Sequence, residues 1–352
     1  MENENILRRY TKPSKIGLKK FGETSYLNAF LQMLGNIPEL IEYFLNVGNQ
    51  SNIEGNIKKI PLSFVIERFF RHIYPFPETN ENIIYGNEKI LSVLGCYNCT
   101  FNSINKRNIK DLVNFILEKL HEELNSKKIT NLMYEITYDQ FNFKDSIDKQ
   151  NIIFSNSNKS IISDLFNIFE VKEYHCSFCE KTKYDLLQFN TFDLDIFSCS
   201  NNIKSNNISL SDCLNYFLSP KDRDIFCPNC QRKNKTNVIS RIYNCPNVLI
   251  FLLRENIEEQ SSLLKFKIEK KINLKGYIQD QNTSGDLELI GIISIFGTIY
   301  VSFCKSPIDN KWYIYKDEEV NLIEIDEVII NNNNLNVYIP CILCYKLIKN
   351  NN

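Results

Sequence analysis

Histidine is scarce in this chain of 352 residues, which contains only His72, His121 and His175. No imidazole follows His175, so a histidine general base in the C-terminal half is excluded. The formal net charge of −1 gives no sign of a surface built for a polyanion, and we expect no nucleic-acid partner. The chain also has no glycine-rich phosphate loop and no internal repeat.

Long apolar runs are also lacking. The longest, around residues 248–253, falls far short of the ~20 residues that a membrane-spanning helix needs, so we expect no membrane partner. The opening residues, M-E-N-E-N-I-L-R-R-Y-T-K, are too charged for a secretory signal peptide. Because 12 cysteines occur without such a signal, we expect a reducing compartment, cytoplasmic or nuclear, and metal binding in place of disulfides.

Apolar residues make up 43% of the sequence, which is ample for a large core. The first half is predicted to be mainly helical. One helix covers N-I-K-D-L-V-N-F-I-L-E-K-L-H-E-E-L, with one apolar face formed by Val113, Ile116, Leu117, Leu120 and Leu124. We expect His121 on this helix to be a solvent-facing or structural residue. From residue 248 onward, short apolar runs and alternation with period two predict strands, as at Phe266, Ile268, Ile272 and Leu274.

Residues 17–28, G-L-K-K-F-G-E-T-S-Y-L-N, lead into a helical pattern that Gly35 and Pro38 close. Ser25 is therefore predicted to lie at a helix N-terminus. A cysteine there would be activated, because the free amides and the helix dipole favour the thiolate. A serine ionises too weakly to benefit and needs a positioned base. The simpler role for Ser25 is that of a helix cap.

This segment resembles the nucleophile motif of the ubiquitin-specific proteases, G-L-x-N-x-G-N-T-C-Y-M-N followed by L-Q. Ser25 stands where the nucleophilic cysteine belongs, and Lys20 stands at the position of the oxyanion-stabilising asparagine. The matching residues are Gly17, Leu18, Gly22, Thr24, Tyr26, Asn28, Leu31 and Gln32. The resemblance therefore covers the framework of the motif and fails at the reacting positions.

Two C-terminal segments extend the resemblance. In the family, G-V-V-x-H-x-G and G-H-Y-x-A-Y-V-K supply the general base, and W-Y-x-F-D-D-x-x-V supplies the carboxylate that orients it. Residues 291–305 and 312–320 match these patterns, with Ile299 at the base and Lys316 at the orienting carboxylate, although Asp317 follows. The earlier histidine of the first pattern is replaced as well, by Ile295.

Between Gly297 and Tyr300 only two residues remain, so the loop beside the implied catalytic cleft is predicted to be short. Four roles are thus substituted together: nucleophile, base, orienting group and oxyanion donor. Loss of the nucleophile or the base alone lowers turnover by a factor on the order of 10⁶. One catalytic alternative is a Ser–Lys pair, in which Lys20 or Lys316 would act on Ser25. The other interpretation is that both lysines are ordinary surface residues at vacated positions.

Cysteine spacing carries a second signal. Cys176-Ser-Phe-Cys179 and Cys227-Pro-Asn-Cys230 are two C-x-x-C pairs separated by 47 residues, an arrangement typical of a four-thiolate zinc site. The resemblance agrees, because the family carries such pairs at the tip of its finger-like sheet. We therefore predict a structural zinc on these four cysteines, with His175 as a neighbour and not a ligand.

Two further cysteine pairs are interpreted differently. Cys341 and Cys344 lie in a predicted strand, where positions three apart face opposite ways and cannot share a metal, so both are predicted to be core residues. Cys96 and Cys99 have no partner pair and are predicted to be structural, packing as small hydrophobic side chains.

Three asparagine-rich stretches, residues 151–159, 200–207 and 331–334, have little apolar content and are predicted to be mobile loop insertions without function. The resemblance covers about residues 16–347.

The resemblance implies an α+β, papain-like cysteine protease fold with a helical thumb, a β-rich palm and zinc-ribbon fingers. Residues 1–15 are expected to be an N-terminal extension to a single domain of residues 16–350. Within that domain we expect the thumb at about 16–160, the fingers at about 161–245 and the palm at about 246–350.

The leading functional hypothesis is a pseudo-deubiquitinase. It would bind ubiquitin or a ubiquitinated protein, or act as a scaffold in a multiprotein complex, without isopeptide hydrolysis. One alternative is an active deubiquitinase with a non-standard Ser/Lys site. Another is a structural subunit, for example one associated with splicing, that makes no contact with ubiquitin. The intact framework around a substituted site favours the first.

Overall fold

The computed structural model describes residues 6–46, 60–76, 84–102, 108–126, 159–253, 264–280, 283–335 and 338–348. The chain divides into two compact units. Unit 1 is formed by Met1–Leu124 with Leu289–Tyr345, and unit 2 by Asn125–Glu288 with Lys346–Asn352. The two units do not test the predicted boundaries of thumb, fingers and palm, which stay a prediction.

The described α-helices are, in chain order, α1 Ser25–Leu34, α2 Pro38–Asn46, α3 Leu62–Ile73, α4 Glu88–Tyr97, α5 Ile109–Leu124, α6 Ile161–Phe166, α7 Ile196–Ile203, α8 Leu210–Leu218 and α9 Ile325–Leu335. Short 3-10 helices cover Ile6–Arg9 and Cys99–Asn102. None of the helices in the described ranges is long and apolar enough to cross a membrane.

The strands are β1 Ile168–Cys176, β2 Thr182–Phe189, β3 Phe192–Leu194, β4 Asn207–Ser209, β5 Lys221–Cys227, β6 Arg232–Ile242, β7 Val248–Leu253, β8 Lys265–Lys267, β9 Lys271–Asn273, β10 Asp286–Phe296, β11 Ile299–Lys305, β12 Trp312–Lys316, β13 Glu319–Ile323 and β14 Ile339–Leu347. Helices thus dominate the first half and strands the second, as the patterns predict.

In unit 1 the strands follow the order β13-β12-β11-β10-β14. Strand β11 pairs antiparallel with β10 on one side and with β12 on the other, and β12 pairs with β13. Helix α1 packs against β11 and is buried along its whole length. This packing places the first motif of the chain, residues 17–28, beside the C-terminal strand β11. The candidate site of unit 1 lies there.

Unit 2 contains an antiparallel sheet in the order β2-β1-β6-β5. Its other pairings are β3 with β7 and β4 with β8, both parallel, and β9 with the first residues of β10. Every residue of Val248–Leu253 is buried, as are Phe266, Ile268, Ile272 and Leu274. The buried strand at Val248–Leu253 and the core positions are therefore confirmed, whereas only Phe266 and Ile272 lie in strands, and Ile268 and Leu274 directly follow β8 and β9.

Two of the asparagine-rich stretches are not loops, and this prediction is wrong for them. Residues 200–203 belong to α7, which Asp195 caps by accepting a hydrogen bond from the Ser198 amide at 3.0 Å. Residues 331–334 continue α9, whose buried face begins with Ile325, Val328 and Ile329. Local capping and an apolar face upstream thus outweigh the polar composition. Residues 151–158 lie outside the described residues.

Of the predictions for the two isolated cysteine pairs, one is confirmed and one is wrong. Cys341 and Cys344 are fully buried on β14, so their assignment to the core is confirmed. Cys96 and Cys99 are both exposed, where α4 ends and the following 3-10 helix begins, so the prediction that they pack as buried side chains is wrong.

Helix α3 is capped by a side chain from α5. The residue before α3, Pro61, provides no side-chain cap, and the carboxylate of Glu123 accepts hydrogen bonds from the amides of Leu62 at 3.1 Å and Ser63 at 2.7 Å. A carboxylate at a helix N-terminus satisfies free amides and interacts favourably with the helix dipole. Glu123 therefore links the N-terminus of α3 to the last turn of α5.

We expect Glu123→Ala to lower the free energy of unfolding by about 1–2 kcal/mol, because two helix amides lose their acceptor. Chemical denaturation followed by circular dichroism measures this change. The matched control is Glu122→Ala. The Glu122 side chain is 66% exposed and forms an ion pair with Lys119 on the same helix, so its removal should change stability by no more than about 0.5 kcal/mol. Equal effects of the two substitutions would contradict the capping role.

Candidate functional site

Ser25 is the first residue of α1, and only 2% of it is exposed. The N-cap position belongs to Thr24, whose hydroxyl accepts a hydrogen bond from the Phe21 amide at 2.9 Å. The Ser25 hydroxyl oxygen instead accepts a hydrogen bond from the amide of Tyr300 at 3.1 Å. The simpler prediction for Ser25, a helix cap, is therefore wrong, because a strand distant in sequence supplies its partner.

Ile299 begins β11, directly before the residue that contacts Ser25. It pairs across the hairpin with Phe296, so Gly297 and Thr298 alone form the turn, and Gly297 takes a left-handed conformation with φ of +62°. The predicted short loop is confirmed. The residue in the position that the resemblance assigns to the base is thus an aliphatic side chain that cannot accept a proton.

A buried polar network surrounds Asn28, which lies one helical turn after Ser25 on the same face of α1. The side-chain amide of Asn28 donates to the Asp317 carboxylate at 2.8 Å and to the carbonyls of Leu18 at 3.2 Å and Lys19 at 3.3 Å. Its carbonyl accepts a hydrogen bond from the side chain of Asn87, which is fully buried. Asn28 therefore ties the segment before α1 to the turn between β12 and β13.

Asp317 occupies that turn in a left-handed conformation, with φ of 50°. Burial raises the pKa of its carboxyl group, while the hydrogen bond from Asn28 and the charge of Lys20 oppose the rise. Asp317 is thus a part of the framework that contacts an amide, and the site offers it no imidazole to orient.

The two lysines at substituted positions have neighbours of their own. Lys20 acts electrostatically on Asp317. The ammonium nitrogen of Lys316 lies 5.9 Å from the ring centroid of Phe296, within cation–π range. Both side chains are partly exposed, whereas a lysine base needs a desolvated pocket. These contacts favour ordinary surface roles for Lys20 and Lys316.

Gly17 lies where two backbone segments meet. Its carbonyl accepts a hydrogen bond from the Tyr85 amide at 2.9 Å, and the next amide, that of Leu18, donates to the Asp317 carbonyl at 2.8 Å. A Cβ atom on Gly17 would lie 2.1 Å from the carbonyl oxygen of Glu318. The first glycine of the motif is therefore required by packing against backbone and not by chemistry.

The four cysteines predicted to bind zinc come together in unit 2. The sulfur atoms of Cys176, Cys179, Cys227 and Cys230 all lie within 4.8 Å of one another. Two of the separations are 3.9 Å, between Cys176 and Cys230, and 3.8 Å, between Cys179 and Cys227. A tetrahedron with zinc–sulfur bonds of about 2.3 Å has sulfur–sulfur edges of about 3.8 Å. The cluster therefore fits a structural zinc site.

The sheet places the cysteines through two similar turns. Cys176 ends β1 and Cys227 ends β5, and β6 lies between these two strands. Each C-x-x-C turn is followed by a residue in left-handed conformation, Glu180 with φ of 56° and Gln231 with φ of 55°. The amides of Cys179 and Phe178 lower the pKa of the Cys176 thiol to about 6, whereas burial and the neighbouring thiols raise the pKa of Cys230 to about 11. Backbone donors of this kind favour the thiolate that a metal requires.

His175 is exposed, and its Nδ1 lies 3.2 Å from the Thr182 hydroxyl, outside the sulfur cluster. This position agrees with the prediction that it is a neighbour of the site.

A family model described as ubiquitin carboxyl-terminal hydrolase matches residues 16–345. The chain belongs to this family. Among curated relatives, the probable ubiquitin carboxyl-terminal hydrolase 16 of Schizosaccharomyces pombe is 23% identical over 94% of this chain and 66% of its own length. Ubiquitin carboxyl-terminal hydrolase 4 of Saccharomyces cerevisiae is 21% identical over 90% of this chain and 38% of its own length. The chain thus spans two thirds or less of these relatives.

A solved structure, the SAGA DUB module containing Ubp8 and bound to monoubiquitin, matches with a TM-score of 0.67. The match has 17% sequence identity and covers 100% of this chain and 71% of the other. The fold is therefore the α+β, papain-like fold of the ubiquitin-specific proteases, as predicted, and the cluster of four cysteines is consistent with its zinc ribbon.

Sequence patterns did not reveal every residue that supports these sites. Asn28 matches the family motif, but its bond to Asp317 joins residues 289 positions apart and leaves no local signal. Asn87 belongs to no motif and is identified only by its burial and its contact with Asn28. Such polar partners become visible once the fold brings their segments together.

Proposed function

We propose that this chain is a pseudoenzyme with the ubiquitin-specific protease fold, which binds ubiquitin and does not cleave isopeptide bonds. The observation that carries the proposal is the contact of Ser25 with the Tyr300 amide beside Ile299. A serine nucleophile requires a base within hydrogen-bond reach, and this position offers a backbone donor and an aliphatic side chain. His72 lies against the Tyr85 ring, with ring centroids 4.7 Å apart, and His175 lies beside the Thr182 hydroxyl. Within the described ranges, no hydrogen bond joins a histidine to Ser25.

The intact framework supports binding as the retained activity. The polar network of Asn28, Asn87 and Asp317 and the close packing at Gly17 hold the segment before α1 in a defined conformation. The solved structure that shares the fold is a complex with monoubiquitin, which makes ubiquitin the first partner to test. That structure is also a multiprotein module, so a scaffolding role in a complex is the second.

We also propose that Cys176, Cys179, Cys227 and Cys230 hold one zinc ion. The metal would stabilise the end of the β2-β1-β6-β5 sheet, because four thiolate ligands fill its coordination sphere and leave no open position for a substrate. In this proposal the zinc is structural, and binding of ubiquitin or another protein would depend on the sheet that it stabilises.

Binding and hydrolysis can be measured in one preparation, with monoubiquitin and a fluorogenic substrate attached to the ubiquitin C-terminus. We expect the wild-type protein to bind ubiquitin without turnover. Ser25→Cys alone should also be inactive, because Ile299 stands at the position of the base. Ser25→Cys combined with Ile299→His should raise cleavage by about 10²-fold or more over Ser25→Cys, the contribution of a positioned base.

The matched control is Ser25→Ala combined with Ile299→His, which keeps the new imidazole and lacks a nucleophile. Turnover by the wild-type protein that Ser25→Ala abolishes would overturn the pseudoenzyme proposal, and substitution of Lys20 and Lys316 would then identify the base. A wild-type protein that neither binds nor cleaves ubiquitin would favour the structural-subunit alternative.

A further inference from the structure

We propose that Asn234 is a positioning residue of the metal site, whose side-chain amide donates a hydrogen bond to the metal-bound sulfur of Cys230. This inference rests on the proposed zinc and deepens it. Asn234 belongs to neither C-x-x-C pair and cannot itself be a thiolate ligand. Its position on the central strand β6 brings it to both pairs.

The register of the sheet explains this position. Strand β6 lies between β1 and β5, and Thr236 on β6 pairs with Cys176 on β1. Asn234 lies two residues from Thr236, so both side chains share one face of the sheet. On the other side, Asn234 pairs with Ile225, two residues before Cys227. Asn234 therefore faces the space between the two C-x-x-C turns.

The side chain contacts a sulfur from each turn. Its nitrogen Nδ2 donates to the Cys230 sulfur at 3.4 Å, and its oxygen Oδ1 accepts from the Cys176 thiol at 3.3 Å. Oδ1 also accepts a hydrogen bond from the Thr236 hydroxyl at 3.4 Å. Only 3% of Thr236 is exposed, and its hydroxyl also lies 3.4 Å from the backbone carbonyl of Asn234, so both of its acceptors belong to Asn234.

Metal binding changes which of these hydrogen bonds can form. A metal-bound cysteine is a thiolate, so Cys176 no longer donates to Oδ1. The Thr236 hydroxyl can still donate to Oδ1, which keeps the amide in its orientation and keeps Nδ2 directed at Cys230. The hydrogen bond to Cys230 thus survives ligation and becomes charge-assisted.

This donor matters because four thiolates carry more negative charge than one zinc ion carries positive charge. An N–H group directed at a ligand sulfur offsets part of the excess and holds the sulfur in position. Partners of this kind typically change metal affinity by about 10–100-fold when they are replaced. Replacing the donor by a carboxylate should therefore be more damaging than removing it.

The test uses the full chain loaded with zinc, and it measures the rate at which a strong chelator removes the metal. We expect Asn234→Asp, which has the same shape and no N–H donor, to release zinc about tenfold faster than wild type or more, and Asn234→Ala to fall between them. The matched control on the same strand is Asn237→Ala, whose amide instead donates to Asp222 at 2.9 Å, and its release rate should equal that of wild type. Asn229→Asp adds the same charge within the second C-x-x-C turn, so it controls for charge alone.

Wild-type release rates in both Asn234 variants would overturn the role of Asn234 while leaving the zinc site in place. Equal acceleration by Asn229→Asp and Asn234→Asp, with wild-type behaviour of Asn234→Ala, would also overturn it. A wild-type protein that contains no zinc would instead refute the metal site itself. If Asn234→Asp does not fold, Asn234→Ala decides between the first outcome and the expected one.

Discussion

Cys227→Ser is expected to abolish zinc binding and to destabilise unit 2 by several kcal/mol. The substitution leaves three sulfur ligands, and serine supplies a hydroxyl that stays protonated at neutral pH and is a poor zinc ligand. The thiols of Cys176 and Cys230, 3.9 Å apart, would then lie close together without a metal to hold them. Metal content by mass spectrometry and melting followed by circular dichroism measure the two effects.

The control for this prediction is Cys99→Ser, which changes an exposed cysteine outside the cluster. It should leave the zinc content at one ion per chain and the melting temperature close to that of wild type. If Cys227→Ser also retained one zinc and melted like wild type, the four-thiolate site would be refuted.

Gly17→Ala is expected to lower the free energy of unfolding by about 3 kcal/mol, at the upper end of the usual cost of overpacking. The added methyl group would lie 2.1 Å from the Glu318 carbonyl oxygen and 2.5 Å from its carbon, which are backbone atoms and cannot rotate away. The hydrogen bonds of Gly17 with Tyr85 and of Leu18 with Asp317 limit how far the segment can shift. Denaturant titration of both proteins measures the difference.

Gly276→Ala provides the same chemical change at a position where nothing lies within 4 Å of the new methyl group. Its effect should stay within about 0.5 kcal/mol. A cost at Gly17 no larger than this would mean that the segment before α1 is free to move, and that the polar network around Asn28 does not hold it.

Local sequence pattern was sufficient for much of the fold. The spacing of Leu27, Phe30, Leu31 and Leu34 predicted α1, and the all-apolar run at Val248–Leu253 predicted a buried strand. In each C-x-x-C pair a short turn aims two sulfurs at one point. Because a structural zinc has four ligands, the two pairs were predicted to meet at one metal. The helix and strand signals depend on neighbours within a few residues, whereas the two cysteine pairs also need the pairing of β1, β6 and β5 to meet.

Pattern was insufficient where the deciding partner is distant. Serine is a preferred helix-capping residue, yet the Ser25 hydroxyl accepts a hydrogen bond from the amide of Tyr300, 275 positions away. The exposure of Cys96 and Cys99 depends on which surface α4 presents, which the sequence of α4 alone does not fix. Composition also misled at residues 331–334, because the apolar face upstream extends the helix through the asparagines.

The division of unit 1 into two segments has a consequence for the order of events during synthesis. Helices α1–α5 belong to Met1–Leu124, but the strands against which α1 packs belong to Leu289–Tyr345. At about 5–20 residues per second, the ribosome produces the second segment roughly ten to thirty seconds after the first. During this interval the apolar side chains of α1 lack the strands that later cover them. Nearly all of unit 2, by contrast, is synthesised as one continuous segment. Nascent unit 1 is therefore expected to expose apolar surface for longer than nascent unit 2.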